Sequence, residues 1–262
     1  MFGDDLDAFA EVQDSLVRLM RDADAGDWAL PSGGCPGWTV GDIFLHLGLT
    51  LAQFVDRRSL PRVEGLGTER ANDVLVEHRR SWTHEQVFDA YVADARTTLD
   101  RMRAIGPDSD VVLDLGDVGR YPFADLVKAY VWDHVTHMTC DVVAPDGPLR
   151  RPGPPATERV MGTVVDWIFT ALPQQVRDVP AVAGTISLDL RGPGGRQVGL
   201  AVRDRRFAVS DAPAGEAVAT VTSSTADLLR WATQRRSWRD PGVTVTGDGD
   251  AAAPALDVIR VF

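Results

Sequence analysis

The chain has 262 residues, 44% of them hydrophobic and 25% charged, which supplies a real core and leaves room for two domains. A net charge of −11 argues against binding a phosphate backbone, because that needs clustered Lys and Arg to displace counterions. No apolar run reaches the roughly 18 residues needed to cross a bilayer, and the first thirty residues lack a signal-peptide pattern, so a soluble, cytoplasmic protein is expected.

Lys128 is the only lysine, and this Arg bias with abundant Ala, Val, Asp and Gly reflects a high-GC genome more than a mechanism. Cys35 and Cys140 are too few for a disulfide framework and are expected as reduced thiols, neither resembling half of a zinc knuckle.

In chain order, Leu6, Phe9, Val12, Leu16, Leu19 and Met20 recur at three- and four-residue spacing and predict an amphipathic helix over 4–24. A Gly- and Pro-containing loop follows at 33–37. Thr39 is placed to cap a second helix reaching about residue 57, with Ile43, Leu47 and Phe54 on one face and His46 near it. Residues 61–80 have weak periodicity and are expected to cross from one end of a bundle to the other. Thr83-His84-Glu85-Gln86 is close to a capping box and opens a third helix to about Ile105 through Val87, Tyr91, Ala95 and Leu99. A fourth is expected from Pro122 to Val143, with Pro122 in the first turn. Four helices make a four-helix bundle the simplest architecture.

Pro145, Gly147, Pro148, Pro152, Gly153, Pro154 and Pro155 then interrupt the pattern, so the division is placed at 150, giving domains 1–150 and 151–262. A short helix at 157–171 precedes alternating runs at 185–190, 197–202 and 217–222, read as half-buried antiparallel strands. Ser224 to Gln234 reads as a helix, Val243 to Gly247 as a strand and Asp250 to Ile259 as a closing helix. The fold class expected is therefore α+β in two domains.

The residues that carry chemistry lie on the second and fourth helices. Asp133 and His137, four apart, share a helix face and are able to grip one metal ion while His46 supplies a third ligand. Three protein ligands leave a position open, the pattern of a catalytic zinc site. The plainer alternatives are a core histidine at 46 and a surface carboxylate at 133. His134 points about 100° away from Asp133 and is expected as a supporting or surface residue. Cys140, three residues past His137, is a weaker candidate ligand, and His78 and His84 read as solvated. No phosphate loop, nucleophile elbow or His-Glu-x-x-His motif is present.

Three segments together resemble one family. They are Pro36-Gly37-Trp38-Thr39-Val40-Gly41-Asp42 leading to His46, the acid four before a histidine on the last bundle helix, and the closing run Ala219 to Leu229 followed by Val243 to Asp248. Together they resemble the mycothiol-dependent maleylpyruvate isomerase family. The resemblance implies a DinB-like metal-binding bundle joined to a C-terminal domain similar to sterol carrier protein. It implies zinc on His46, Asp133 and His137, with aspartate where the family usually has glutamate, and it draws attention to Asp141 soon after the histidine. It also implies mycothiol as thiol cosubstrate and an arginine of the C-terminal domain acting in catalysis. Arg235 and Arg236 are the nearest match, the plainer reading being a solvated helix end. Arg79 and Arg80 are further guanidinium donors suited to an anionic thiol or substrate.

The expected function is a zinc-dependent isomerase or S-transferase acting on a small electrophile. The alternatives are a non-enzymatic small-ligand or lipid carrier, and a thiol-independent metal-dependent hydrolase. Monomer and dimer remain open.

Overall fold

The computed structural model describes residues 1–211 and 216–262. They divide into two compact units, Met1–Asp117 with Tyr121–Pro155, and Val118–Arg120 with Ala156–Phe262. The N-terminal region is helical and the C-terminal region is built on a five-stranded sheet.

The helical region contains α1 (Phe2–Asp22), α2 (Ala25–Trp28), α3 (Val40–Val55), α4 (Thr68–Arg79), α5 (His84–Ile105) and α6 (Leu126–His137), with short strands β1 (Val112–Asp114) and β2 (Arg120–Pro122) between the last two in sequence. α3 packs on α5 and α4, and α1 packs on α6 and α5. The seam is filled by Phe9, Val12 and Leu16 of α1, Ile43 and Leu47 of α3, Tyr91 of α5 and Val131 of α6, all buried. Each such side chain contributes about 1.5–3 kcal/mol by leaving water.

Local chemistry sets the helix starts. Thr39 Oγ1 accepts a hydrogen bond from the Asp42 amide at 3.1 Å, while Asp42 Oδ2 accepts from the Thr39 amide at 2.9 Å, closing a capping box that begins α3. Thr83 and Gln86 do the same for α5, which stops at Gly106, whose φ of 75° only glycine adopts without strain.

Two features of this region differ from the sequence expectation. Residues 61–80 contain the helix α4, which buries only Leu75 and Val76 and so shows little apolar periodicity. The fourth helix does not run regularly from Pro122 to Val143. A 3₁₀ turn at Phe123–Asp125 leads into α6, and α6 passes into a π turn at Met138–Val142.

The C-terminal region contains α7 (Glu158–Gln175), β3 (Thr185–Arg191), β4 (Gln197–Arg203), β5 (Arg206–Ser210), β6 (Ala217–Ser224), α8 (Thr225–Ala232), β7 (Val243–Gly247) and α9 (Gly249–Leu256). The strand order is β5-β4-β3-β6-β7. The expectation of an all-antiparallel sheet fails at its centre, where β3 and β6 run parallel while the other neighbours are antiparallel. β5 was not anticipated, because its hairpin turn is Asp204-Arg205, with φ of 49° and 59°, rather than the Asn-Gly that usually marks such a turn.

Candidate metal centre

His46 projects from the middle of α3, where the capping box has fixed the start and hence the facing of the helix. It is 3% exposed, and its ring lies 4.9 Å from that of His137 on α6. Asp133, one turn before His137, sits between them. Its Oδ1 is 3.6 Å from His46 Nε2 and 3.4 Å from His137 Nε2. Those separations are long for hydrogen bonds. They match the edge of a tetrahedron around zinc, about 3.4 Å for metal–ligand bonds of about 2.0–2.2 Å. The second carboxylate oxygen, Oδ2, is buried without a hydrogen-bond partner. Two imidazoles and a carboxylate are a donor set suited to zinc, and the three ligand atoms lie within 4.8 Å of one another, so these residues fit a divalent cation.

The π turn gives Asp141, already singled out by its place soon after His137, its role. By widening the helix after His137 it brings the Asp141 carboxylate back over the imidazole, with Oδ2 2.7 Å from Nδ1. Asp141 is fully buried. A carboxylate against Nδ1 keeps a proton there, so the nitrogen freed when a cation displaces a proton would be Nε2, which faces Asp133 and His46.

Cys35 was missed as a neighbour of the site. Its Sγ lies 3.4 Å from Asp141 Oδ2 and 3.9 Å from His137 Nδ1. No helical spacing could have indicated this, because Cys35 arrives on a loop from 102 residues away in sequence. That loop is tied down by the Gly33 amide donating to the Asp141 carbonyl at 2.8 Å. A side chain at position 33 would place Cβ 2.3 Å from the Asp146 carbonyl oxygen, so glycine alone permits the approach.

The charges follow from burial and neighbours. Burial alone would raise the Asp133 pKa, but the positive charge of His46, with His137 and His134, outweighs it and brings it down to about 2. Burial opposes charge on His137, yet hydrogen bonds to Asp141 and Cys35 and the charge of Asp133 raise its pKa to about 10 in the metal-free protein. His134 is no surface residue. It is fully buried, with Nδ1 2.9 Å from the Tyr130 carbonyl and Nε2 3.0 Å from the Tyr91 hydroxyl, and burial lowers its pKa to about 4. A neutral imidazole donating from Nδ1 and accepting at Nε2 satisfies both partners.

Trp38 rests its ring 5.3 Å from that of His46 and donates from Nε1 to Asp73 at 3.1 Å. It also lines a groove of about 530 Å³ with Arg70, Asp73, Glu77 and Arg80. Arg80 pairs with Asp42 and Glu77, and Arg79 lies over the Trp82 ring. Cys140 is buried and belongs to neither potential metal-binding group among the described residues. His78, near the end of α4, and His84 are both exposed, as expected, and His84 stacks on Trp28. Arg235 and Arg236 belong to the other unit, in the turn after α8, where both backbone amides donate to the Arg230 carbonyl at 2.9 and 3.2 Å. α8 itself ends at Ala232, two residues before the expected Gln234.

Comparison with known proteins adds three findings. The model of the mycothiol maleylpyruvate isomerase N-terminal domain matches residues 9–138. A crystal structure of a single-site mutant of the mycothiol-dependent maleylpyruvate isomerase aligns with a TM-score of 0.59 at 13% identity, covering 94% of this chain and 93% of that one. Another crystal structure of the mycothiol-dependent maleylpyruvate isomerase aligns with a TM-score of 0.57 at 14% identity and the same coverage. At such identities the likeness is one of fold. No curated protein sequence matches. No helix among the described residues is long and apolar enough to cross a membrane.

Proposed function

Because the chain belongs to the mycothiol maleylpyruvate isomerase family, we propose that it is a metal-dependent enzyme using mycothiol as a nucleophilic cosubstrate to isomerise a small electrophilic alkene. The observation that carries this reading is the convergence of His46 Nε2, Asp133 Oδ1 and His137 Nε2 on one volume. A divalent cation held there, zinc by its donor set, lowers the pKa of a thiol and makes the thiolate abundant at neutral pH.

The chain's own residues prepare that chemistry. Asp141 holds the proton on His137 Nδ1 and so aims Nε2 inward. Asp133 contributes the negative charge that favours a cation, and His46 is held in place by burial on α3. The thiolate adds to one alkene carbon, the former double bond rotates, and elimination returns the thiolate, so no atom is gained or lost. A thiolate that stays attached gives S-transfer instead. Arg235 and Arg236 are assigned to an anionic group of the substrate or thiol, since guanidinium forks match carboxylates. A cytoplasmic location belongs to the same reading.

The test is metal analysis of protein purified without chelator, together with His46→Ala and His137→Ala variants, followed by incubation with mycothiol and maleylpyruvate. About one zinc per chain, lost in His137→Ala, and isomerisation that requires the thiol and is lost in both variants are expected. Wild-type protein that takes up no metal even after added zinc overturns the reading.

A further inference from the structure

His137 presents chemistry at both ring nitrogens. Around Nε2 lie His46 and Asp133; around Nδ1 lie Cys35 Sγ at 3.9 Å and Asp141 Oδ2 at 2.7 Å, with sulfur and carboxylate 3.4 Å apart. The three atoms on the Nδ1 side lie within 4.8 Å of one another. For a tetrahedral zinc the sulfur edges would be about 3.6 Å and the nitrogen–oxygen edge about 3.4 Å. Both sulfur distances are within a few tenths of an ångström of that, and only the hydrogen-bonded nitrogen and oxygen must part.

This second set is built by the fold. The Ser32 hydroxyl donates to the Cys35 carbonyl at 2.8 Å, the Trp38 amide donates to the same carbonyl at 3.1 Å, and the Gly33 amide pins the loop to the π turn. The π turn in turn carries the fully buried Asp141. Cys35 is only half-buried, so an ion can reach the sulfur from solvent.

We propose that Cys35, His137 Nδ1 and Asp141 form a second, alternative metal site that takes a soft divalent ion of the zinc class and shares His137 with the first. Thiolate ligation distinguishes it chemically from the all-nitrogen-and-oxygen set at Nε2. On binding, the Cys35 thiol and His137 Nδ1 each release a proton to solvent as their bonds to the metal form, and His137 keeps its other proton on Nε2. The two sites are therefore exclusive, one ion per histidine. The inference does not depend on His46 and Asp133 holding a metal.

Cobalt(II) titration of the full chain tests it by absorbance, because cobalt bound to thiolate gives a near-ultraviolet sulfur-to-metal charge-transfer band. His46→Ala removes a ligand of the first site and leaves the second intact. This variant is expected to bind one cobalt with that band. The double variant His46→Ala with Cys35→Ser is expected to lose the band and to bind at least tenfold more weakly. Circular dichroism melting confirms that each variant is folded. A His46→Ala protein that is folded but binds no cobalt, or binds it without the band, overturns the proposal. If wild type and His46→Ala show the same band and affinity, the proposal stands and the metal reading of His46 fails instead.

Discussion

Asp141 illustrates how much a single carboxylate governs here. Its 2.7 Å contact with Nδ1 selects the tautomer of His137, and outer hydrogen-bond partners of metal-ligating histidines typically contribute about 10–100-fold in affinity. Asp141→Asn, able to donate as well as accept, is expected to weaken zinc binding by about that factor while leaving the fold intact, as read by competition with a chromogenic chelator. The histidines also predict a pH dependence of stability in chelator-treated protein. His134, lowered to about 4 by burial, takes up its proton more readily when unfolded, so stability rises with pH from about 4 to the unfolded value near 6.5. His137 has its pKa raised to about 10, so its contribution is fully present below about 6.5 and is lost as pH rises towards 10. Asp133, lowered to about 2, adds a further loss as pH falls below about 4. The urea midpoint should peak near pH 6.5, and His134→Gln should flatten the acid limb between about 4 and 6.5. A midpoint that does not change across this range would contradict the assignment.

At the scale of elements, position follows from how each helix begins and ends. α3 carries His46 seven residues past its cap, so the Thr39–Asp42 box sets both the helix start and the rotation that faces the imidazole inward. Thr39→Ala is expected to cost about 1 kcal/mol in chemical denaturation. Metal affinity should fall only modestly, since Ile43 and Leu47 still anchor the helix. Regular α-helix spacing made Asp133 and His137 legible as a pair, and their Oδ1–Nε2 separation is 3.4 Å. The π turn was not legible, because nothing in Met138-Thr139-Cys140-Asp141 differs in pattern from a continuing α-helix. α4 was hidden for the opposite reason: with only Leu75 and Val76 buried, it has no apolar stripe to read.

Across the whole molecule, the residues named in the proposal fall in different units of the chain. His46, Asp133, His137, Asp141 and Cys35 all belong to the helical unit, whereas Arg235 and Arg236 belong to the other. Arg235→Ala with Arg236→Ala is therefore expected to leave metal content unchanged. Turnover efficiency should fall by roughly tenfold or more, since a hydrogen bond to a charged group contributes about 1.5–3 kcal/mol. Parallel metal analysis and kinetics would separate the two effects, and loss of metal in this variant would refute the division of labour. By itself the sequence determined the two-part α+β composition, most helix starts and the histidines and carboxylate on α3 and α6, because capping and apolar periodicity are local and repeat every turn. Only the tertiary structure decided that β3 and β6 pair in parallel, that Asp141 closes on His137 Nδ1, and that Cys35 joins them. Those outcomes rest on strand order, on the side-chain geometry of a widened helical turn and on a loop seated through Gly33, which brings in Cys35 from 102 residues away where no fixed spacing relates the two.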